Sequence, residues 1–404
     1  MVGSRAHNAD AGMHVHQHGS ARVNTDRLLK APPTLWSATL DPADHAALDP
    51  GVPDDLDRHP DVLVIGGGVI GLATALFCRR AGLGHVLVIE AQQLAAAASG
   101  GAGGALVPEL HQLSDPPAFV ALARSSLALY RRLDQEWDGA LALRWRPALL
   151  LLPDSPAPSL RPWPGVELLD TQQVAELEPD LARVPAALLA PDQAQVHPLR
   201  LAALLARQAG SVATGAAMTN LEVAGGRVVR VRTTVGDLHP GAVVLATGLA
   251  PEPWVRLPQR LVKGHLIATA PGRFRLRCGV HSPGGGFGSL PGGGLLAGGT
   301  RDEGDQSPQV RPEVVASIQR RLGELLPAAQ GAALTHSWCC FRPATADGQP
   351  VIDQVPGLDN AWVSAGHDGT GLLLAPATGQ ALATWIATGR RAIGIDSFAL
   401  ARFT

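Results

Sequence analysis

Three glycines and one acid carry the clearest chemistry in this 404-residue chain: Gly66, Gly68 and Gly71, with G-x-G-x-x-G spacing, and Glu90. A pyrophosphate binds backbone N–H groups only where no side chain blocks its approach. Glycine at the first position allows a tight turn, at the second lets phosphate reach the backbone, and at the third lets a helix pack on a strand. Val69 and Ile70 open that helix, whose free N–H groups and positive dipole end favour an anion. Glu90, nineteen positions past Gly71, is placed to accept both hydroxyls of an adenosine ribose. The elements that must position these residues are legible around them. Asp61–Ile65 reads as a strand, the residues after Val69 as a helix, and Val86–Ile89 as a second strand ending on the acid. The glycine spacing alone is a weak signal among 46 glycines, but strand, turn, helix, strand and acid agree on a dinucleotide site.

A second set of small residues lies at 95–106, where Ala98, Ser99, Gly100, Gly103 and Gly104 could hug a flat ligand. Residues 118–137 have helical periodicity, 147–166 are Pro-rich with a strand-like Ala148–Leu152 run, and helices are expected at 171–177 and 198–209. Strands are expected at 228–234 and 241–248, the latter ending in Ala246-Thr247-Gly248. Further strands across 261–300 are punctuated by glycines 284–286 and 292–294, which no helix follows and which read as hairpin turns. A helix is expected over 313–326. Near the end, a strand from Trp362 runs into a loop containing Gly366, His367, Asp368, Gly369, Thr370, Gly371 and Leu372, and a helix covers 380–388. A phosphate turn at one end of the chain and a glycine loop at the other imply a ligand long enough to touch both. FAD meets that requirement better than NAD.

Composition narrows the alternatives. A formal charge of −2 and a pI near 6.7 give no electrostatic reason for nucleic acid or an anionic membrane, and only Lys30 and Lys263 are lysines. Cys78, Cys278, Cys339 and Cys340 form no C-x-x-C pair and no zinc spacing, so a reduced cytoplasm is expected. No apolar run reaches the roughly 18–20 residues of a membrane span, and the N-terminus has no basic-then-apolar leader. Residues 1–58 lack periodicity and are expected to form a flexible extension, with Trp36 and Leu40 able to pin one piece of it to the body. His14, His16 and His18 alternate there. Without an acid or cysteine nearby they read as solvated tail rather than as a metal site, and no metal is expected.

Seven motifs in order resemble the D-amino-acid oxidase superfamily of FAD enzymes, especially glycine oxidase and related amino-acid dehydrogenases. They are Val64–Gly71, Ala98-Ser99-Gly100, Val196–Leu199, Leu245–Gly248, Gly298–Arg301, Phe341–Ile352 and Gly366–Pro376. The resemblance implies an α/β fold: a discontinuous Rossmann-like FAD domain (59–118, 191–255 and 336–404) with a mixed β-sheet substrate domain (119–190 and 256–335). It also implies hydride transfer from an amine-bearing carbon to flavin N5, giving an imine. Oxygen or another acceptor would reoxidise the flavin, and the chain would act alone, as a homo-oligomer or with a partner subunit. By resemblance Arg342 grips the substrate carboxylate, His367 lies beside the flavin and Phe287 takes the sheet position beside the substrate; Asp368 could meet a substrate amine or cap the following helix, and Arg301 could reach the pocket or stand in an exposed turn. Cys340 stands where some relatives link the flavin covalently, although a non-covalent FAD is the expectation. Two positions depart from the pattern. Gly369 replaces a loop arginine, and Phe287 replaces a tyrosine of the substrate sheet, leaving Tyr130 in the early helix as the only tyrosine. Fewer polar handles imply a substrate other than glycine, in a biosynthetic tailoring step or in oxidation of a 2-hydroxy acid.

Overall fold

In the Val62–Ile65 and Val86–Ile89 strands, residues two apart share a face, and both faces are apolar. A strand covered on both sides requires that pattern. The computed structural model describes residues 33–152, 162–248 and 254–403. In it Val62, Val64, Val86 and Val88 enter a core shared with helices Val69–Arg80, Pro198–Ala209 and Gly371–Thr388. Leu63, Ile65, Leu87 and Ile89 enter a second core, roofed by the antiparallel meander Met218–Ala224, Arg227–Thr233 and Gly236–Leu238.

The sheet between those cores has six strands in the order Val351–Gln354, Ala361–Ala365, Ala242–Leu245, Val62–Ile65, Val86–Ile89, Ser211–Ala213. All neighbours are parallel except the first pair. This is the discontinuous Rossmann-like domain, assembled from distant parts of the chain. Helix Gly371–Thr388 crosses Val69–Arg80 so closely that a Cβ on Gly379 would lie 2.7 Å from the Ala73 backbone. The helix begins nine residues before the expected 380 and runs through Pro376. Proline has no N–H, so the Leu372 carbonyl four residues earlier loses its helical partner. The buried Tyr130 hydroxyl donates to it at 2.6 Å. That contact gives the chain's only tyrosine a structural role.

The second sheet is mixed and carries the substrate side of the molecule. Its order is Leu334–Thr345, Gln259–Thr269, Leu295–Gly298, Gly285–Ser289, Gly279–Ser282, Arg144–Leu152, Ala186–Gln195, Ala105–Leu106, with Glu167–Asp170 also on Ala186–Gln195. Only Gly279–Ser282 and Arg144–Leu152 pair in parallel. Helix Pro312–Leu325 covers its far face through Ile318 and Leu322. The glycines at 284–286 and 292–294 stand at hairpin turns of this sheet.

Three boundaries differ from the sequence reading. Strand Leu334–Thr345 stays in the substrate sheet to its end, because its register against Gln259–Thr269 is continuous from Cys340 to Thr345; the chain returns to the FAD sheet only at Val351, not at 336. Helix Pro117–Glu136 packs on Gly371–Thr388 and joins the FAD-side core. Residues 33–58 are not a flexible extension. Leu35–Ala38 and Pro42–Leu48 are short helices capped by Thr34 and Asp41, and Trp36 is buried with its indole N–H on the Ala102 carbonyl at 2.8 Å. Asp44 pairs with Arg207 at 2.8 Å. Side-chain capping supplies the local signal that a lack of periodicity concealed. His14, His16 and His18 lie outside the described residues. Among the described residues no helix is long and apolar enough to cross a membrane, and no cluster of His, Cys, Asp and Glu could hold a metal.

Candidate active site

Each motif glycine has its own reason to lack a side chain. Gly66 has φ +114°, and a Cβ there would collide with the Ala246 carbonyl. A Cβ on Gly71 would collide with the Gly66 carbonyl. At Gly68 the nearest atom would be Ser99 Oγ, at 3.4 Å, so that glycine keeps space open rather than relieving a clash. Glu90 is fixed by two backbone donors, Gly67 N–H to Oε2 at 2.7 Å and Gln92 N–H to Oε1 at 2.9 Å. Its other lone pairs stay free to accept. Ser99 Oγ accepts from Val69 N–H at 3.0 Å, tying the small-residue segment to the helix N-terminus.

Glu90, Gly66 and Thr247 line a cavity of about 370 Å³, closed by Ala216–Thr219 and Trp254, which the sequence reading missed. A second cavity of about 280 Å³ lies between the two sheets and is walled by Val69, Ile70, Gly103, Gly371 and Leu372. Gly68, Ala98, Ser99, Ala246 and Gly248 line both. The path therefore runs from the Glu90 carboxylate, past a helix N-terminus, to the late glycine loop. A long dinucleotide with phosphates at the shared wall fits these donors. Gly100, Gly104 and Thr370 line neither cavity. Cβ atoms on Gly100 and Gly104 would strike the Ala95 and Val196 carbonyls, and the Thr370 hydroxyl donates to the His367 carbonyl at 2.7 Å.

The profile of the FAD dependent oxidoreductases (DAO) matches residues 61–385. The chain belongs to this FAD-dependent oxidoreductase family. Glycine oxidase of Pseudomonas putida is 30% identical over 364 residues, covering 82% of this chain and 95% of that protein. The bifunctional protein ThiO/ThiG of Synechocystis is 28% identical over 85% of this chain, which spans only 54% of that relative's length. The crystal structure of glycine oxidase from Geobacillus kaustophilus superposes with a TM-score of 0.75 at 26% identity, covering 85% of this chain and 99% of that one. The cofactor of this family is FAD.

The second cavity gathers several of the expected residues. Arg342 lies in its wall and donates to the Thr300 carbonyl at 2.9 Å. Its guanidinium occupies the space a side chain on Gly264 would need, and Gly369 leaves room beside its Cδ. Leu266 and Leu296 form apolar wall, whereas Phe287, expected beside the substrate, turns its ring to the other face of the sheet and packs there with Ile267, Ile318 and Leu322. His367 is buried, which pushes its pKa down to about 3 and keeps the imidazole neutral. Its nearest polar neighbour is Thr378 Oγ1 at 3.4 Å. Asp368 has φ +46° and accepts from Arg301 at 2.8 Å through Oδ2, while buried Oδ1 has no partner. Asp368 does not cap the following helix, which begins without a side-chain cap. Arg301 is half exposed and outside the cavity wall; it reaches the cavity only through Asp368. Cys340 lines the cavity with Sγ 3.5 Å from the Gly101 carbonyl, and burial holds its thiol above the usual range. Cys339 faces the other way, toward Pro308. Lys263 is fully buried on that opposite face, 2.7 Å from Asp305 and 2.7 Å from the Gln309 carbonyl.

The sequence reading missed the polar end of this cavity. Arg146, Gln193, Gln195 and His281 line it. Arg146 and Gln193 are cross-strand partners, as are Arg144 and Gln195, so all four side chains stand on one face. Burial first, and Arg144 second, bring the Arg146 guanidinium down to about 10, still charged at neutral pH. Burial, with Arg146 second, lowers His281 to about 4. The available signal was Arg-Trp-Arg immediately before an apolar run, which is an alternating strand with both arginines on one side.

Proposed function

We propose that this chain oxidises an amine or amino acid to the imine, with FAD held non-covalently between Glu90 and the Gly366–Leu372 loop. The observation that carries the reading is the pairing, in one cavity wall, of a guanidinium with no acid partner and a buried carboxylate oxygen with no donor. Arg342 would hold a substrate carboxylate through its remaining N–H groups, fixing position and rotation. Asp368 Oδ1 would accept from the substrate amine. Bound FAD would supply the redox chemistry, taking the hydride at N5. Neutral His367, Leu266 and Leu296 would exclude water and press the reacting carbon into place. The known relatives include glycine oxidases, but with Gly369 and Phe287 where those relatives are expected to hold arginine and tyrosine, the proposed substrate is not plain glycine.

Anaerobic mixing of the yellow holoenzyme with amino, imino and 2-hydroxy acids tests this. Bleaching near about 450 nm by amino or imino acids is the expected result. Bleaching by 2-hydroxy acids alone would move the assignment to alcohol oxidation, and no bleaching across a broad panel would remove it.

A further inference from the structure

At the end of the cavity remote from Arg342, Arg146 and Arg144 converge on one residue. Arg146 Nη1 donates to the Ser289 carbonyl and hydroxyl, both at 3.2 Å, and Arg144 Nη1 donates to the same carbonyl at 2.5 Å. Arg146 Nη2 donates to Gln195 Oε1 at 2.9 Å, and Gln195 Nε2 reaches the Gly103 carbonyl at 3.4 Å. Among the described residues neither arginine has a carboxylate within 4.0 Å. The acid whose charge reaches Arg146 is Glu178, and it is already bound to the Arg277 and Cys278 N–H groups. Arg146 thus stands in the cavity wall with the Arg144 guanidinium behind it and no counter-charge, which favours an anionic ligand group there.

Two further observations point to a ligand rather than to packing. Gln193 is almost wholly buried; its amide N–H donates to the Asp192 carbonyl at 2.9 Å, which leaves buried Oε1 as an acceptor without a donor, open to an N–H or O–H of a ligand whose anionic group faces Arg146. A Cβ on Gly288 would overlap the Arg146 guanidinium, and one on Gly286 would crowd His281 Nδ1 at 3.0 Å. The strand is thus bare of side chains where these polar groups enter the cavity. Four strands separate Arg342's strand from Arg146's, so their backbones are five strand spacings apart, about 24 Å along the sheet. A single carboxylate cannot serve both arginines.

We propose that the Arg146 end binds a second anionic group of the substrate, which is therefore an amino or imino acid with an acid function at each end. This rests on the oxidase reading above, with Arg342 taking the carboxylate nearer the reacting carbon. Gln195 then acts as a positioning residue: it holds Arg146 and joins it to the Gly103 segment of the flavin wall.

The test uses the holoenzyme in two arms. In the first, the flavin spectrum is titrated with the unreactive dicarboxylates succinate, glutarate and adipate, and with acetate and butyrate. Dicarboxylates of fitting length should bind about ten- to a hundred-fold more tightly than the monocarboxylates. Arg146→Gln should erase that difference, Arg146→Lys should restore part of it, and Arg342→Gln should weaken both classes. In the second arm, aspartate, glutamate and 2-aminoadipate, in both configurations, are compared with their ω-amides by anaerobic flavin reduction. The acids should show the lower KM in the wild type and lose the advantage in Arg146→Gln. If acids and amides react equally and Arg146→Gln changes neither arm, the inference is overturned while the oxidase reading stands. If nothing in the second arm reduces the flavin but dicarboxylates still bind through Arg146, the oxidase reading falls and the anion site survives.

Discussion

Gly68 and Gly71 share a motif but serve different ends, and exchanging each for alanine should separate them. At Gly71 the new Cβ would overlap the Gly66 carbonyl oxygen and come within 3.2 Å of Val64 Cγ1. Neither can swing aside, because one is backbone and the other belongs to a central strand. Helix Val69–Arg80 would have to lift from the sheet. Overpacking of this kind costs about 1–3 kcal/mol or more, and each kcal/mol lowers the melting temperature of a chain this large by about 2–4 °C. Gly71→Ala apoprotein should therefore melt about 3–10 °C below wild type. Gly68 has φ −71°, open to any residue, and its only near neighbour would be Ser99 Oγ at 3.4 Å. Gly68→Ala apoprotein should melt within about 2 °C of wild type, because the substitution leaves the packing intact. Its methyl would, however, stand in the wall common to both cavities, where FAD phosphate must reach backbone N–H. Loss of one charge-assisted hydrogen bond predicts about ten- to a hundred-fold weaker FAD binding. Scanning fluorimetry of the apoproteins and titration of FAD fluorescence measure the two effects. A Gly68→Ala apoprotein that melts as low as Gly71→Ala, with FAD affinity unchanged, would refute the division of roles.

Tyr130→Phe should cost about 1–3 kcal/mol by leaving the Leu372 carbonyl unpaired beside Pro376; an unfolding curve superposable on wild type would contradict that role. Lys263→Met should destabilise the fold by about 3 kcal/mol and release Asp305, whose carboxyl Lys263 holds low, while leaving the cavity residues in place. FAD reduction kinetics that change more than stability would argue for Lys263 at the site. His367 titrates near 3, and His197, His265 and His281 near 4, all below the roughly 6.5 of an unfolded imidazole. The unfolded chain therefore binds more protons in that window. Stability is full above pH of about 6.5 and falls by about 1.4 kcal/mol per pH unit for each histidine as pH drops toward the folded values. A melting temperature flat between about pH 6.5 and 4.5 would exclude the effect. With Cys340 held as the protonated thiol by burial, acid precipitation should leave a white pellet and a yellow supernatant; a yellow pellet would mean a covalent link.

The FAD half was legible because its constraints are local. Gly66, Gly68, Gly71 and Glu90 lie within one βαβ unit, and each strand's apolar content follows from cover on both faces. What the sequence hid there was satisfied at long range. A proline at 376 argues against a helix until Tyr130, 242 residues away in sequence from Leu372, takes the stranded carbonyl. The structured segment at 33–58 is held in the same way, by Trp36 on Ala102 and Asp44 on Arg207.

The substrate half was harder to read because its polar groups come from strands that pair only in the folded molecule. Counting family positions gave a pocket short of handles, since Gly369 and Phe287 offer none. The structure returns that polarity at the opposite end, on Arg146, Gln193, Gln195 and His281. No local signal joins Arg146 to Gln193; a register of two strands does. A cavity with one cation suits a substrate with one acid group. With Arg342 and Arg146 five strand spacings apart, a second acid group on the substrate would give Arg146 its counter-charge. On the proposed reading, Gly369 leaves the Arg342 end with a single cation, and specificity for a longer, doubly acidic substrate would rest on Arg146.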